Sequence, residues 1–528
     1  MSSSTDGAPA AQAPEREQWS GQVGFLLAAI GSAIGLGNIW RFPGVAYSNG
    51  GGAFMIPYIV ALLCVGIPVL LLDYALGHRM RGSSPAVFRR LHRRFEWLGW
   101  WQVFVCFIIM CYYPAVVAWS MRYVLFSVGT AWGDDAKGFF YDYVGTSRVS
   151  GDAPHYTLQL VSGVIIPLLI VWGFGIYTVS RGISRGVERA NRVFLPLLVV
   201  LFLALVVRAV LLPGATNGLN SLFTPQWEAL TDFKVWMAAF AQIFFSLSVG
   251  FGIMLTYASY LRPRSNLVGT GLVAAFANSS FEILAGIGVF GTLGFMAHAQ
   301  GIGVDGIEGI AGPALAFITF PTVISQMTGG AIFGILFFSS LVMAGLTSFI
   351  SILQVVVPAI AEKTGASIPR TALVVCLPAA ALSLLLFGTT SGLFDLDIVD
   401  AFINNIGVVS SAIIMCVGVT WVLRRATPLQ RHLNLVSETR VVGAWWRFLV
   451  AVVVPLALTY ILVQTVRSYI QDGYEGYSHA MLGAFGWGML ALGVVIGIVL
   501  TLAKWRTPVD EFTPIDLDAP LAAIEEEN

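Results

Sequence analysis

Runs of about twenty apolar residues recur twelve times between Ser20 and Trp505, and this repetition constrains the chain more than any other feature. A bilayer core about 30 Å thick is crossed by roughly 20 apolar residues in a helix. Inside lipid every backbone N–H and C=O must find a partner in its own segment or in a closed barrel, so runs of this length become helices. The runs predict spans near 20–45, 53–78, 98–128, 159–180, 191–212, 235–261, 266–298, 328–361, 371–390, 398–424, 444–470 and 481–504. The expected class is therefore an all-α polytopic membrane protein. Composition agrees, because only 11% of the 528 residues are charged against about 25% in a soluble domain. Most of the exterior must face lipid. With 29 basic and 29 acidic residues, no global charge draws the chain to nucleic acid.

Short loops carry the orientation signal. Arg79, Arg81, Arg89, Arg90, Arg93 and Arg94 follow the second run; Arg181, Arg185, Arg189 and Arg192 follow the fourth; Arg424, Arg425, Arg431 and Arg440 follow the tenth. The loops after odd-numbered runs hold little more than Lys137, Arg148 and Lys234. Both termini are thus expected in the cytoplasm, with the protein in the inner (plasma) membrane of a cell, a bacterial one by the resemblance described below. Residues 1–18 and 506–528 read as cytoplasmic tails, the first lacking the apolar stretch of a secretory signal. The polar, glycine-rich stretch 299–327, broken by Pro313 and Pro321, is long enough to fold back as an external lid. All five cysteines lie in apolar runs and read as small buried hydrophobes.

Two runs do not favour an unbroken helix. The first contains GSAIGLGNIWRFP, Gly31 to Pro43, with Gly31, Gly35 and Gly37 where mid-membrane should fall. The sixth contains FFSLSVGFG, Phe244 to Gly252. Each glycine in a helix interior costs about 1 kcal/mol relative to alanine. Glycines in membrane helices usually serve close packing. Breaks in the first and sixth of ten helices, however, fit a five-plus-five inverted repeat whose discontinuous helices build a binding site at the midplane. Unwound carbonyls there can bind a cation, and unwound amides a carboxylate.

At these residues the chain resembles the neurotransmitter:sodium symporter family, and within it the bacterial amino-acid transporters of the leucine-transporter (LeuT) type. The resemblance runs from Trp19 to about residue 504. It is carried by GSAIGLGNIWRFP, by NGGGAFMIPY from Asn49 to Tyr58, and by the Tyr112 and Tyr113 pair. AQIFFSLSVGFG, LTYASYL and AGLTS (Ala344 to Ser348) complete it. It implies a first repeat over 19–212, an extracellular loop over 213–234, a second repeat over 235–424 and two further helices within 425–505.

Two sodium sites are implied. The first comprises Ala33, Asn38, Ser246 and Asn278 and is completed by the substrate carboxylate; the second comprises Gly31, Ile34, Ala344, Thr347 and Ser348. Neutral oxygen donors of this kind suit a hard cation. A lone membrane Ser or Thr ordinarily bonds back to its own helix. The substrate is implied to contact Ala33, Leu36, Gly37, Ile109, Tyr113, Phe245, Ser246, Ser248, Phe251, Ser348 and Ile352. Relatives that carry monoamines place an aspartate in the first helix where this chain has Gly35, so a neutral amino acid bringing its own carboxylate is the better guest.

The resemblance also implies an outer gate of Arg41 with Asp400 and an inner gate of Arg16 with Trp19 and Tyr260. The usual aspartate partner of the inner arginine is here best matched by Glu362, a departure from the family pattern. Glu282 stands where chloride-dependent members carry a small hydroxyl residue, which implies chloride independence with Glu282 as the substituting carboxylate. The expected function is sodium-coupled import of a small, neutral, hydrophobic amino acid by alternating access, with two Na+. The alternative is a transporter-like sensor that binds without translocating. An enzyme is disfavoured, because the six histidines show neither metal-ligand spacing nor a nucleophile beside a base.

Overall fold

Glycine and proline decide where the apolar runs remain single helices. A computed structural model describes residues 17–148, 155–307, 309–310 and 312–512; Arg16 and most of both expected tails lie outside this range. Among the described residues ten helices are long and apolar enough to cross a membrane. They are α3 (Gly52–Met80), α5 (Arg93–Ser127), α7 (Ser162–Ser180), α8 (Ile183–Val210) and α12 (Leu267–Gln300), then α14 (Gly330–Thr364), α15 (Ile368–Phe387), α16 (Gly392–Val422), α18 (Ala444–Gln471) and α19 (His479–Leu502). A bent pair, α1 (Gln22–Ala33) and α2 (Leu36–Ser48), kinks by 52° and makes the eleventh.

The sixth run, expected over 235–261, departs furthest from a continuous helix. It folds as α10 (Phe233–Ser246) and α11 (Ile253–Ala258), separated by non-helical residues 247–252. Shorter helices lie between the spans: α4 (Ser84–Leu91), α6 (Ala136–Val144), α9 (Ala215–Phe223), α13 (Phe320–Gln326) and α17 (Ala426–Val436). Strand structure among the described residues is limited to two isolated bridges, Gly51 with Pro225 and Leu160 with Thr389.

The 299–327 stretch is more than a polar loop. It carries Leu315–Thr319 and α13, and Phe317 stacks on Phe140 at 5.3 Å while Phe320 stacks on Phe337 at 4.1 Å. Aromatic burial, which the glycine-rich composition conceals, anchors this segment, the expected lid, on α6 and α14. The two ends of the bundle are hereafter the lid end and the tail end, the latter carrying Trp19 and residues 503–512. Near the tail end α3 and α11 approach so closely that a Cβ on Gly77 would lie 1.9 Å from the Leu255 carbonyl oxygen. Only glycine fits there.

Candidate functional site

The site begins where two helices stop. After Ala33 the chain is extended at Ile34 and Gly35, and the Gly35 N–H is caught by Asn38 Oδ1 at 2.9 Å. In the second break Ser248, Gly250 and Gly252 take φ of 53°, 80° and 95°, left-handed values that favour glycine. Ser248 is the non-glycine exception. Its hydroxyl and that of Ser348 donate to the same acceptor, the Ser32 carbonyl, at 3.2 and 3.3 Å. The end of α1 is thereby tied both to the second break and to α14.

Three helices hold the Gly250 peptide. Asp73 Oδ2 on α3 accepts its N–H at 2.9 Å, while Gln102 Nε2 on α5 and Ser411 Oγ on α16 donate to its carbonyl at 3.0 and 2.7 Å. Asp73 is fully buried and its Oδ1 has no hydrogen-bond partner. Sequence reasoning missed Asp73, Gln102 and Ser411. The available signal was the lone carboxylate in the 53–78 run, since an ionisable group at membrane depth marks a functional position by default.

Between the breaks lies a cavity of about 330 Å³. Every residue expected around the substrate lines it, from Ala33, Leu36 and Gly37 through Ile109, Tyr113, Phe245, Ser246, Ser248 and Phe251 to Ser348 and Ile352. Ile109, Phe251 and Ile352 supply apolar walls. At the polar end the Leu36 N–H points at the Tyr113 hydroxyl at 3.5 Å. Beside it runs a chain of neutral groups: Asn38 Nδ2 donates to Asn278 Oδ1 at 2.9 Å, and Asn278 Nδ2 to Ser246 Oγ at 3.1 Å. Turning either carboxamide over would replace its donor face with an oxygen, so the cluster can meet a cation without moving a helix.

The second expected ion set lies on two elements, with Gly31 and Ile34 at the end of α1 and Ala344, Thr347 and Ser348 on α14, and a Cβ on Gly31 would stand 3.5 Å from that of Thr347. Thr347 Oγ1 donates back to its own helix, to the Ala344 carbonyl at 3.0 Å and the Met343 carbonyl at 3.1 Å. Its lone pairs stay available to a cation. Asn191, which sequence reasoning also missed, packs where a Gly31 Cβ would stand, and its Oδ1 is buried without a partner.

Glu282 is buried behind this cluster. The Tyr58 hydroxyl and Gln242 Nε2 donate to it, the latter at 2.7 Å, and Ser246 lies within hydrogen-bonding reach.

The two expected gates differ. Asp400 accepts from the Tyr112 hydroxyl at 2.6 Å and from Asn404 Nδ2 at 2.8 Å, whereas the Arg41 guanidinium lies over the Phe245 ring at 4.4 Å. Among the described residues no direct Arg41–Asp400 ion pair forms. Arg41 takes the aromatic face nearest to it, and the cavity continues past both residues to Asp397 and Tyr474. The tail end is shut. The Trp19 indole donates to the Tyr257 carbonyl at 2.9 Å and its backbone N–H to the Tyr260 carbonyl at 3.1 Å, while Gln354 bonds the Tyr260 hydroxyl at 3.3 Å. Glu362 accepts from the Ser83 N–H at 2.8 Å and faces Arg90 at 3.8 Å.

Two broken helices around a cavity that extends to Asp397 and Tyr474 are the architecture of a secondary transporter rather than an enzyme. The sequence pattern of the sodium:neurotransmitter symporter family matches residues 16–143 and 139–507. An uncharacterised sodium-dependent transporter of Methanocaldococcus jannaschii is 40% identical over 503 residues, covering 93% of this chain and 98% of the relative. The sodium-dependent serotonin transporter of Drosophila melanogaster is 29% identical, over 91% of this chain and 81% of its own length. Among solved structures, MhsT in complex with L-phenylalanine superimposes with a TM-score of 0.72 at 29% identity, covering 85% of this chain and all of that one. The chain belongs to the sodium:neurotransmitter symporter family, whose members are sodium-coupled membrane transporters.

Proposed function

We propose that the protein imports a neutral, hydrophobic L-amino acid together with two sodium ions and without chloride. One observation carries the substrate class. The cavity's deep end offers the Leu36 N–H and the Tyr113 hydroxyl at the first break, Gly35 brings no fixed anion to meet an amine, and the facing walls are apolar. A zwitterion's carboxylate fits the polar end and an aliphatic or aromatic side chain the other. The phenylalanine bound to MhsT supports an amino acid as the guest.

Coupling follows from shared contacts. A sodium ion among Ala33, Asn38, Ser246 and Asn278 touches the substrate carboxylate, so each ligand strengthens the other's binding by the same factor. A second ion among Gly31, Ile34, Ala344, Thr347 and Ser348 clamps α1 to α14, and its departure frees α1 to open the tail end to the cytoplasm. Both termini then face the cytoplasm, in accord with the arginine distribution of the short loops. Glu282 supplies the negative charge that chloride would otherwise bring.

The test is uptake into proteoliposomes. An imposed inward sodium gradient should concentrate labelled leucine or phenylalanine, and Asn38→Ala should lower the rate at least about ten-fold, as expected when a direct ligand is lost. Uptake independent of sodium, or full transport by Asn38→Ala, overturns the reading. Binding without accumulation identifies a sensor instead.

A further inference from the structure

The end of α3, the first turn of α17 and the first turn of α18 bring three arginines together without a counter-ion. Arg79 Nη1 donates to the Pro428 carbonyl at 3.1 Å, and Arg447 Nη1 donates to the Thr427 hydroxyl at 3.0 Å. The two side chains thus close on adjacent residues at the start of α17. Arg425 precedes that helix and lies within electrostatic reach of Arg79. None of the three pairs with a carboxylate among the described residues, and Nε of both Arg79 and Arg447 is buried without an acceptor. A guanidinium offers five N–H donors, and each of these two spends one nitrogen. The first turn of α17 adds backbone N–H groups that no side chain caps, the positive end of a helix.

Of the groups packed around this cluster, Arg81 adds positive charge and the histidines add none. His78 Nδ1 and His432 Nε2 meet at 2.9 Å, and Arg81 Nη2 stands 3.5 Å from His78 Nε2. Burial first, then His78, Arg79 and Arg81, holds the His432 imidazole well below its ordinary pKa and therefore neutral.

The ends of two candidate membrane spans lie alongside. Arg425 follows α16 by three residues and Arg447 sits in the first turns of α18, so both ride the ends of membrane-spanning helices. On those same ends Trp421, Val422, Trp445 and Phe448 are exposed at 61, 63, 44 and 58%. Exposed tryptophans at span ends are the mark of the membrane interface. Exposed apolar side chains on the span ends that also carry guanidinium donors with no carboxylate partner are complementary to a molecule with a phosphate head and acyl tails.

We infer that Arg79, Arg425 and Arg447 form a binding site for the headgroup phosphate of an anionic phospholipid, whose acyl chains lie against Trp421, Val422 and Phe448. Arginine matches phosphate oxygens in a bidentate fork. The phosphate would bridge the end of α3 to the ends of α16 and α18 and complete the donor set that the protein alone leaves open.

Native mass spectrometry of the purified full-length protein, titrated with phosphatidylglycerol or phosphatidylcholine, tests this. Phosphatidylglycerol should be retained in preference to phosphatidylcholine, and each arginine removed should weaken it about five-fold. Arg425→Gln is the safest variant, because that side chain is exposed and makes no hydrogen bond among the described residues. Arg425→Gln/Arg447→Gln should lose more, and Arg425→Lys should recover part of the loss. Arg181→Gln/Arg185→Gln, which removes two charges from another loop at the tail end, should change nothing. The site is refuted if Arg425→Gln/Arg447→Gln retains phosphatidylglycerol as wild type does. Equal loss in the Arg181/Arg185 variant refutes it too, since generic charge then suffices. Displacement of the lipid by excess inorganic phosphate identifies a free-anion site and refutes the lipid.

Discussion

Asp73 shows how a single side chain can set the shape of a binding site that it does not line. Its carboxylate holds the Gly250 N–H where φ is 80° and a Cβ would lie 2.8 Å from that of Ala412. Asp73→Ala leaves the Gly250 peptide hydrogen buried and unpaired at a cost of about 1–3 kcal/mol. Expressed and folded protein should bind substrate several-fold more weakly in an equilibrium assay, and Asp73→Asn, which keeps an acceptor oxygen, should recover most of that binding. Wild-type affinity in Asp73→Ala would remove the residue from the site's support. Glu282 yields a second expectation. Glu282→Ser keeps a hydroxyl beside Tyr58, Gln242 and Ser246 but removes the charge, so uptake should become chloride-dependent; if it proceeds equally in gluconate, Glu282 does not stand in for chloride. These residues differ in how visible they were. The ligand candidates Asn38, Asn278 and Ser246 sit in motifs that a reader of the chain can recognise. Asp73, Gln102 and Ser411 come from three separate apolar runs and meet only because α3, α5 and α16 fold around one peptide. Arg41 was expected to pair with Asp400, and its seat over Phe245 instead depends on side-chain packing that no motif encodes.

At the scale of elements, apolar run length made the spans readable, because lipid leaves the backbone no alternative to a helix. Where helices break is subtler. Gly31, Gly35 and Gly37 marked the first break, but α1 continues through Gly31 to Ala33 and stops only at Ile34 and Gly35. Asn38 sets that boundary by capping Gly35. The docking of α17 was not legible at all, since His78 and His432 lie 354 residues apart. It carries a pH expectation. His432 has its folded pKa pushed down, so below its unfolded pKa of about 6.5 the unfolded chain takes up a proton that the folded chain refuses. Stability is complete above that pH and falls as pH drops toward the folded pKa, by at most about 1.4 kcal/mol per pH unit for one proton. The groups facing His432 are His78 from α3, with Arg79 and Arg81 beside it. Thermal unfolding followed between pH 7 and pH 5 should show a falling midpoint in wild type and a flatter profile in His432→Gln. Identical profiles would mean that other groups govern acid sensitivity.

Across the whole molecule the two ends are built for different work. The lid end leaves Arg41 and Asp400 unpaired with each other, and its cavity stays continuous past them. The tail end is closed by Trp19 and fastened again from the far end of the chain. Glu96, fully buried on α5, accepts from Lys363 Nζ at 2.8 Å, Trp100 Nε1 at 2.9 Å, Arg89 Nη1 at 2.7 Å and Trp505 Nε1 at 2.8 Å. Beyond α19, Asp510 takes two nitrogens of Arg89, each at 2.8 Å, and the Val509 carbonyl accepts from Arg90 Nε at 3.0 Å. Arg90 also donates to the Met80 and Arg81 carbonyls at the end of α3. Residues 503–512 therefore strap α3 and α4 to α5 and α14, elements that must shift against one another if the tail end is to open. The parts of the strap are unequal in strength. Asp510 is half exposed, and such pairs contribute at most about 1 kcal/mol and are screened by salt. Lys363 and Glu96 are buried, and removing one partner of an isolated buried pair costs about 3–5 kcal/mol, but Arg89 still compensates Glu96 at 2.7 Å when Lys363 is gone. Lys363→Met should therefore lower the unfolding midpoint by less than loss of an isolated buried pair, yet by more than Asp510→Asn. Truncation after Leu502 should leave the fold intact while easing the opening of the tail end. Labelling of a cysteine placed at Ser259, beneath Trp19 and Tyr260, reports that opening in a background whose native cysteines are replaced. The truncated protein should label faster than the full chain in the absence of sodium, and sodium with substrate should narrow the difference. Equal labelling rates would show that residues 503–512 stabilise the fold without restraining the cycle.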